Sequence, residues 1–145
     1  MSPIFSDELI TATELNRQPG RILDKALEHP ITITRNDQSF ALLRRENMAL
    51  FVNAAQQSRA TLELINAAFR LLLNPKTEIE YSYNWLRVFD TEELNELIDE
   101  VMATYHSVDL LKKDWQDLDI LIHEWYESAL AISNPELETA FNQND

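Results

Sequence analysis

The three histidines are the side chains best suited to metal binding or proton transfer, but their spacing favours neither. They are His29, His106 and His123, and no two of them lie one helical turn apart. A zinc site on one helix needs such a pair of histidines, or cysteines, and the chain has no cysteine. We therefore expect no metal and no other cofactor. The lack of cysteine also excludes disulfides and thiolate chemistry, and it is compatible with a reducing cytosol.

The carboxylates are numerous, but they do not form a recognisable site. Asp114, Asp117 and Asp119 resemble an oxygen-rich cation site, yet a calcium loop needs a glycine at its sharp turn and a glutamate downstream. Nothing marks out two carboxylates as a general acid and a general base. Gly20 is the only glycine, which excludes glycine-rich phosphate loops because these need several residues without a Cβ. The sequence thus predicts that the protein is not an enzyme.

The charge is distributed unevenly along the chain. The formal net charge is −13, but residues 1–60 carry 7 acidic and 7 basic side chains, whereas residues 61–145 carry 18 acidic and 5 basic ones. A polyanion such as nucleic acid would be repelled by the second part and tolerated only by the first. On charge alone, scattered surface arginines are the simpler interpretation. The arginines of the first part are Arg17, Arg21, Arg35, Arg44, Arg45 and Arg59.

Length and composition favour a folded protein outside the membrane. With 145 residues, of which 45% are hydrophobic, the chain can bury the core of one domain or of a small domain plus an extension. No apolar run approaches the roughly 20 residues that a membrane-spanning helix needs, and the first residues lack a basic stretch followed by an apolar one. We expect a cytoplasmic protein without a membrane partner.

Two short helices are predicted at the start of the chain. Thr11 and Glu14 have the spacing of a capping box, and Ile10 can pack on Leu15, so a helix begins near Thr11. Pro19 ends this helix and suits the first turn of a second one. The predicted inward face of the second helix consists of Ile22, Leu23, Ala26 and Leu27.

A hairpin follows, and it lies between arginines although the chain is acidic. Apolar residues alternate with threonines in Ile31–Arg35, residues 36–39 are polar, and an apolar stretch resumes at Phe40. We expect Arg35 to face outward at the turn. The predicted core positions of the hairpin are Ile31, Ile33, Ala41 and Leu43.

The remainder is predicted to be helical. A long helix runs from about Glu46 to Asn74, a structured linker follows, Asp90 and Glu93 form a second capping box, and Ser107 can begin another helix. Two helices repeat apolar residues at 4-3 spacing, which is typical of helix–helix packing. The repeats are Phe51, Ala55, Ser58, Leu62, Ile65, Phe69 and Leu72, then Leu111, Trp115, Leu118, Ile122, Trp125, Ala129 and Ile132. The first repeat can be filled by later helices of the chain or by a second copy.

The segment ITATELNRQPGRILDKALEHPITITRNDQSFALLRRE, Ile10 to Glu46, resembles the N-terminal domain of the Phd/YefM family of bacterial antitoxins. The matching features are the capped start, NRQPGRILD, ITITR, a polar turn, and ALL before a long helix. HEWYESALAISNPELETAF near the end is similar to the tail of longer members. The resemblance implies an α+β DNA-binding and dimerisation domain at 1–50, a connecting helix at 51–74 and an acidic, helical partner-binding region at 75–145.

The resemblance also implies a site for operator DNA. In the family, the DNA surface comes from the first helices and the hairpin turn, where polar side chains position phosphates and arginine can read guanine edges. A two-fold homodimer would present this surface twice and predicts a palindromic operator. Arg21 is a secondary candidate. The matching positions are Thr13, Asn16, Arg17, Arg35 and Asn36.

A toxin would be the second partner that the resemblance implies. Aromatic residues dominate interface hot spots, but we expect Trp115 and Trp125 to be at least half buried within the protomer. The predicted toxin-binding residues are therefore Tyr126, Leu137 and Phe141. The acidic surface would suit a basic toxin. The alternative hypothesis is an acidic protein-interaction module on the same fold that does not bind DNA.

Overall fold

The computed structural model describes residues 8–109 and 114–134. Within these residues the chain is mixed α+β, as the sequence predicts. Contacts divide the chain into two compact units, Met1–Val52 and Asn53–Asp145, which we call the first and the second unit. The elements are β1 (Leu9–Thr11), α1 (Ala12–Arg17), α2 (Pro19–Glu28), β2 (Ile31–Arg35), β3 (Gln38–Leu42), α3 (Arg45–Leu73), a 3₁₀ helix (Tyr81–Val88), α4 (Thr91–Ser107) and α5 (Gln116–Ser133).

The two short helices begin where the sequence predicts. The Thr11 hydroxyl oxygen accepts a hydrogen bond from the Glu14 amide at 3.1 Å, which satisfies a backbone donor that the first turn of α1 would otherwise leave free. Ile10 is buried in the core of the first unit, and Leu15 packs against that core. Pro19 is the first residue of α2, where its missing N–H costs nothing.

The three strands form one sheet in the order β1-β2-β3. β1 runs parallel to β2, with Thr11 opposite Thr34. β2 runs antiparallel to β3, with Arg35 opposite Gln38, so the hairpin turn consists of two residues. The first of them, Asn36, has a φ of 56°. Asparagine tolerates this left-handed conformation better than most residues, which allows a tight turn without glycine.

The register of the hairpin corrects the predicted core positions. Ile31 lies opposite Leu42 and Ile33 opposite Phe40, so the even-numbered residues of β3 share the face of the core. Ala41, predicted to be core, lies opposite Thr32 and is exposed, and Leu43 follows the last residue of β3 and is only partly buried. The prediction was wrong because a two-residue turn sets the register, and a shift by one residue turns every side chain to the other face.

The inward face of α2 is narrower than predicted. Ile22 and Ala26 are buried, but Leu23 and Leu27 are more than half exposed. A ten-residue helix on a three-stranded sheet covers it with one row of residues four apart, so the neighbouring row remains in solvent. The buried residues of the first unit are Ile10, Ile22, Ala26, Ile31 and Ile33.

The core of the second unit is formed by α3, the 3₁₀ helix, α4 and α5. The capping box of α4 is present: the Asp90 side chain accepts from the Glu93 amide at 2.8 Å, and the Glu93 side chain accepts from the Asp90 amide at 3.4 Å. The predicted linker contains the 3₁₀ helix, which buries Leu86. The fully buried large side chains of this unit are Leu86, Leu97, Leu118 and Val101.

The beginning of the last helix differs from the prediction. Ser107 is the last residue of α4, and its hydroxyl donates to the Thr104 carbonyl at 2.7 Å, so it does not cap a following helix. α5 begins only at Gln116. Serine is favoured at helix beginnings, but here a carbonyl of the preceding turn accepts the hydrogen bond from its hydroxyl. Leu111 lies outside the described residues, and Leu118 and Ala129 of the predicted repeat are buried.

The 4-3 repeat of α3 is filled only in part by the chain itself. Of its seven residues, Ile65 alone is buried, whereas Leu62 is 68% and Phe69 is 49% exposed. The face of α3 that the second unit buries is rotated from the repeat and consists of Thr61, Leu64, Ile65, Ala67, Ala68 and Leu71. None of the helices in the described ranges combines the length and the hydrophobicity of a membrane-spanning segment.

Removing the cap of α4 should destabilise the second unit. We expect Asp90→Ala to lower its free energy of unfolding by about 1 kcal/mol, because the Glu93 amide loses its acceptor. Asp90→Asn should cost much less, since asparagine is an equally good cap. Urea unfolding followed by tryptophan fluorescence measures this directly, because Trp85, Trp115 and Trp125 all belong to the second unit. Equal losses in the two variants would contradict the capping role.

Candidate nucleic-acid interface and partner surface

The parallel pairing of β1 and β2 brings two predicted site segments together. α1 begins directly after Thr11, the last residue of β1, and the hairpin turn begins directly after Arg35, the last residue of β2. Because Thr11 lies opposite Thr34, both segments leave the sheet at the same end. Adjacent strands are about 4.8 Å apart, so the start of α1 and the turn are neighbours. α1 also packs against β2.

All five predicted DNA-binding residues are exposed, and their two arginines are unpaired. Within residues 8–109 and 114–134, neither Arg17 nor Arg35 makes an ion pair, although Glu14 and Asp37 are close in sequence. Both guanidinium groups therefore keep all their donors for an external acceptor. We call Thr13, Asn16, Arg17, Arg35 and Asn36 the candidate DNA surface.

Other arginines of the first part are engaged with side chains of their own chain. Arg21 donates to the Gln18 side chain at 3.0 Å, Arg44 to Glu46 at 2.9 Å, and Arg59 to Glu63 at 3.1 Å. Each partner lies two to four residues away along the chain, so these contacts are local. These contacts make Arg21 a weaker candidate than Arg17 and Arg35.

An ion pair that sequence reasoning missed joins the residue before β1 to α2. Lys25 Nζ donates to Glu8 Oε1, and His29 Nε2 lies 3.8 Å from Glu8 Oε2. The hydrogen bond from Lys25 holds the pKa of the Glu8 carboxyl below its usual range, and the charges of Lys25, His29 and Arg21 act in the same direction. Lys25 is therefore engaged within the first unit and does not belong to the candidate DNA surface.

The pKa of Glu8 should depend on Lys25. In Lys25→Met we expect the Glu8 pKa to rise towards 4.5, because its principal hydrogen-bond donor is lost. Since the folded-state pKa is depressed, the pair stabilises the protein above the unfolded pKa and loses this effect as pH falls through the folded one. A carbon-13 NMR titration of the Glu8 carboxyl measures the shift, with Lys76→Met as the control. An unchanged Glu8 midpoint in Lys25→Met would show that the contact is not formed in solution.

Tyr126, the one predicted toxin-binding residue within the described part, lies on α5 and is 39% exposed. Its ring packs edge-to-face on Trp85, with centroids 5.6 Å apart and an interplanar angle of 87°. Both rings border a cavity of about 400 Å³ that is also lined by Tyr83, Ile122 and His123. Leu137 and Phe141 lie outside the described residues.

The cavity is bordered by polar groups as well as aromatic rings. The Tyr83 hydroxyl donates to Glu63 Oε2 at 3.4 Å, and Asp119 is part of the lining. Burial raises the pKa of the Tyr83 phenol, and the nearby Glu63 carboxylate adds to the effect. The phenol is therefore a neutral hydrogen-bond donor at neutral pH.

Both tryptophans that the sequence predicts to be at least half buried are so in the structure. Trp115 is almost completely buried, and Trp125 is partly buried, with its indole Nε1 donating to Glu100 Oε2 at 2.8 Å. The Trp125 ring also packs edge-to-face on Phe89 at 5.3 Å. Both side chains therefore stabilise the second unit, and neither is available as the main anchor of a partner.

A larger apolar groove lies between α3 and α4. Its volume is about 750 Å³, and the Tyr105 hydroxyl donates to the Ser58 hydroxyl at 3.2 Å within it. Arg59 and Asp99 are the charged residues of its lining. Sequence reasoning identified the 4-3 repeat but did not assign it a site. We call this cavity the α3–α4 groove. Its lining residues are Ser58, Arg59, Thr61, Leu62, Ile65, Phe69, Ile98, Asp99, Met102 and Tyr105.

Comparison with known proteins does not identify a relative: no protein-family model, curated protein or solved structure matches this chain. Among the described residues, no group of three or more histidine or acidic side chains could hold a metal ion.

Proposed function

We propose that this protein is the antitoxin of a type II toxin–antitoxin system. In this proposal it binds operator DNA as a dimer to repress its own operon, and it neutralises a toxin through its acidic C-terminal part. The observation that carries the DNA half is the convergence of α1 and the hairpin turn at one end of the sheet, with Arg17 and Arg35 unpaired within the described residues.

Electrostatics supports the assignment of DNA binding to the first unit. Residues 1–60 have balanced charges, whereas residues 61–145 carry 18 acidic and 5 basic side chains. Phosphate contacts dominate the affinity of DNA-binding proteins, so unpaired arginines of the first unit are best placed to supply it. Arg17 and Arg35 belong to the candidate DNA surface, and Arg45 is a further exposed arginine at the start of α3. An arginine at a rigid two-residue turn can also enter the major groove and bind a guanine with two hydrogen bonds.

The resemblance of Ile10–Glu46 to Phd/YefM antitoxins supports the same proposal. The order of elements that it implies, two short helices, a hairpin and a long helix, is the order of α1, α2, β2, β3 and α3. The candidate DNA surface is carried over from the segments that the family uses for DNA. A two-fold dimer would double the five cationic and polar contacts of each protomer, which favours a palindromic operator.

The toxin half rests on the second unit. Its excess of carboxylates would attract a basic protein and accelerate association. The cavity at Tyr126 and Trp85 offers exposed aromatic area beside this charge, and aromatic residues are common anchors of protein interfaces. A ribonuclease toxin, which must bind RNA, would have the basic surface that the acidic second unit favours.

The DNA half predicts selective and salt-sensitive binding. We expect the protein to bind its own upstream DNA more tightly than scrambled DNA, and to lose affinity as salt rises because counterions are released on binding. Arg17→Ala and Arg35→Ala should each cost about 1 to 3 kcal/mol of binding free energy. Fluorescence anisotropy at two salt concentrations measures both effects.

Arg70→Ala is the matched control, since Arg70 is an exposed arginine on α3 in the second unit. Its affinity for DNA should equal that of the wild type. Wild-type protein that binds upstream and scrambled DNA equally poorly, and is indifferent to Arg17→Ala and Arg35→Ala, would refute operator binding.

The toxin half predicts a stable complex with the product of the neighbouring gene. Co-expression should relieve growth arrest, and calorimetry should give a complex that Tyr126→Ala weakens by about 1 to 2 kcal/mol, a common effect for an interface aromatic. Tyr81→Ala is the control, because Tyr81 is strongly exposed and outside the cavity lining. No complex at micromolar concentration would count against toxin neutralisation.

The acidity of the second unit also favours one other function, an acidic protein-interaction module without DNA binding. Such a module would pass through a heparin column at low salt, because the net charge of −13 repels a polyanion unless a basic surface binds it. Retention on heparin that depends on Arg17 and Arg35 favours the antitoxin.

A further inference from the structure

The outer face of α3 in the second unit is apolar and open. Leu62 is 68% and Phe69 49% exposed, and they border the α3–α4 groove together with Met102 and Tyr105 of α4. Apolar surface that remains exposed over several neighbouring side chains is unusual on a monomer and marks sites of interaction. A partner that covers this groove would therefore gain burial that the protomer leaves unused.

The spacing of the residues indicates that the occupant is a helix. The repeat continues at 4-3 spacing over 55–72, which a small ligand would not require but an α-helix packed alongside does. Eighteen helical residues span about 27 Å, which is longer than a typical small-molecule site. Ala55 and Ser58, at the beginning of this stretch, are small and allow close approach of a second backbone.

The charge of the groove favours a second copy of this chain as the occupant. Most of the second unit is acidic, so two copies would repel each other across most surfaces. The lining of the groove carries little unpaired charge, because Arg59 is ion-paired with Glu63 and Asp99 is the other charged residue of the lining. Two copies can therefore meet here with little repulsion, whereas a strongly basic partner would meet a single carboxylate.

We propose that the α3–α4 groove is a self-association surface in which α3 of a second copy packs against α3 and α4 of the first. A two-fold axis makes such a contact self-complementary, because each copy contributes both its exposed Leu62 and Phe69 and its own groove. The inference goes beyond the proposed function, since the dimerisation implied there belongs to residues 1–50 and this surface lies in the second unit. It also answers the choice that the 4-3 repeat leaves open.

Site-specific cross-linking tests the surface on the full chain. The protein has no cysteine, so a single cysteine at Leu62 or Phe69 provides one reactive group. With a short bis-maleimide, Leu62→Cys and Phe69→Cys should give covalent dimers about tenfold faster than Ile120→Cys, because packed helices lie only about 10 Å apart. Ile120 is the matched control, an exposed apolar residue on α5 that does not line the groove.

Mass measurements on charged variants provide an independent readout. Leu62→Asp and Phe69→Asp place a carboxylate on each side of the contact, so self-association should weaken at least about tenfold, which light scattering over a dilution series detects as a lower average mass at the same protein concentration. Ile120→Asp should leave the mass unchanged. Circular dichroism of all three variants should match the wild type, since the replaced side chains are exposed.

Two outcomes would overturn the inference. The first is a wild-type protein that is monomeric at micromolar concentration. Slow modification of the cysteine in Leu62→Cys, in a protein that stays monomeric, has the same meaning, because the chain itself then covers the groove. The second is a wild-type assembly whose mass does not respond to Leu62→Asp and whose cysteine at 62 cross-links no faster than that at 120. Selective DNA binding in either case leaves the antitoxin proposal standing, whereas cross-linking at 62 without DNA binding refutes operator binding alone.

Discussion

The pairing of β1 with β2 is the constraint on which the first unit depends. Parallel strands cannot be joined by a tight turn, so residues 12–30 must cross from one end of the sheet to the other. α1 and α2 form this crossover connection, and the buried side chains of Ile22 and Ala26 hold it against the sheet. The same pairing fixes the end at which α1 and the hairpin turn meet. The architecture of the candidate DNA surface is thus a consequence of three residue pairs between two short strands.

The parts of the fold that the sequence predicts correctly depend on residues close in the chain. The Thr11 cap and the Asp90–Glu93 capping box join residues three apart, so both can be predicted from the local sequence without knowledge of the tertiary structure. The errors concern facing and register, which distant residues decide. Ala41 was assigned to the core because an apolar stretch gives two equivalent alternations, and only the length of the turn chooses between them.

The long helix shows why a repeat does not identify its partner. A straight α-helix drifts by about 20° per heptad from a strict 4-3 repeat, so the three heptads from Phe51 to Leu72 accumulate about 60°. The helices of the second unit therefore do not follow the repeat, and they bury a rotated face that includes Leu64, Ala68 and Leu71. The α3–α4 groove lies where the exposed residues of the repeat, such as Leu62 and Phe69, border α4. Its existence depends on where α4 packs, so the sequence predicts the apolar residues but not the cavity.

Separating a cation-bearing segment from an acidic one affects how binding responds to salt. At physiological ionic strength the Debye length is about 8 Å, so carboxylates farther than this from Arg17 or Arg35 hardly weaken an arginine–phosphate contact. Lower salt lengthens the range of the attraction to phosphate, but it also admits the repulsion from the 18 acidic residues of 61–145. The two effects oppose each other, so DNA affinity should rise less steeply at low salt than the number of arginines alone implies. In the proposed operator complex, the acidic second part would therefore limit non-specific binding and leave close, directional arginine contacts intact.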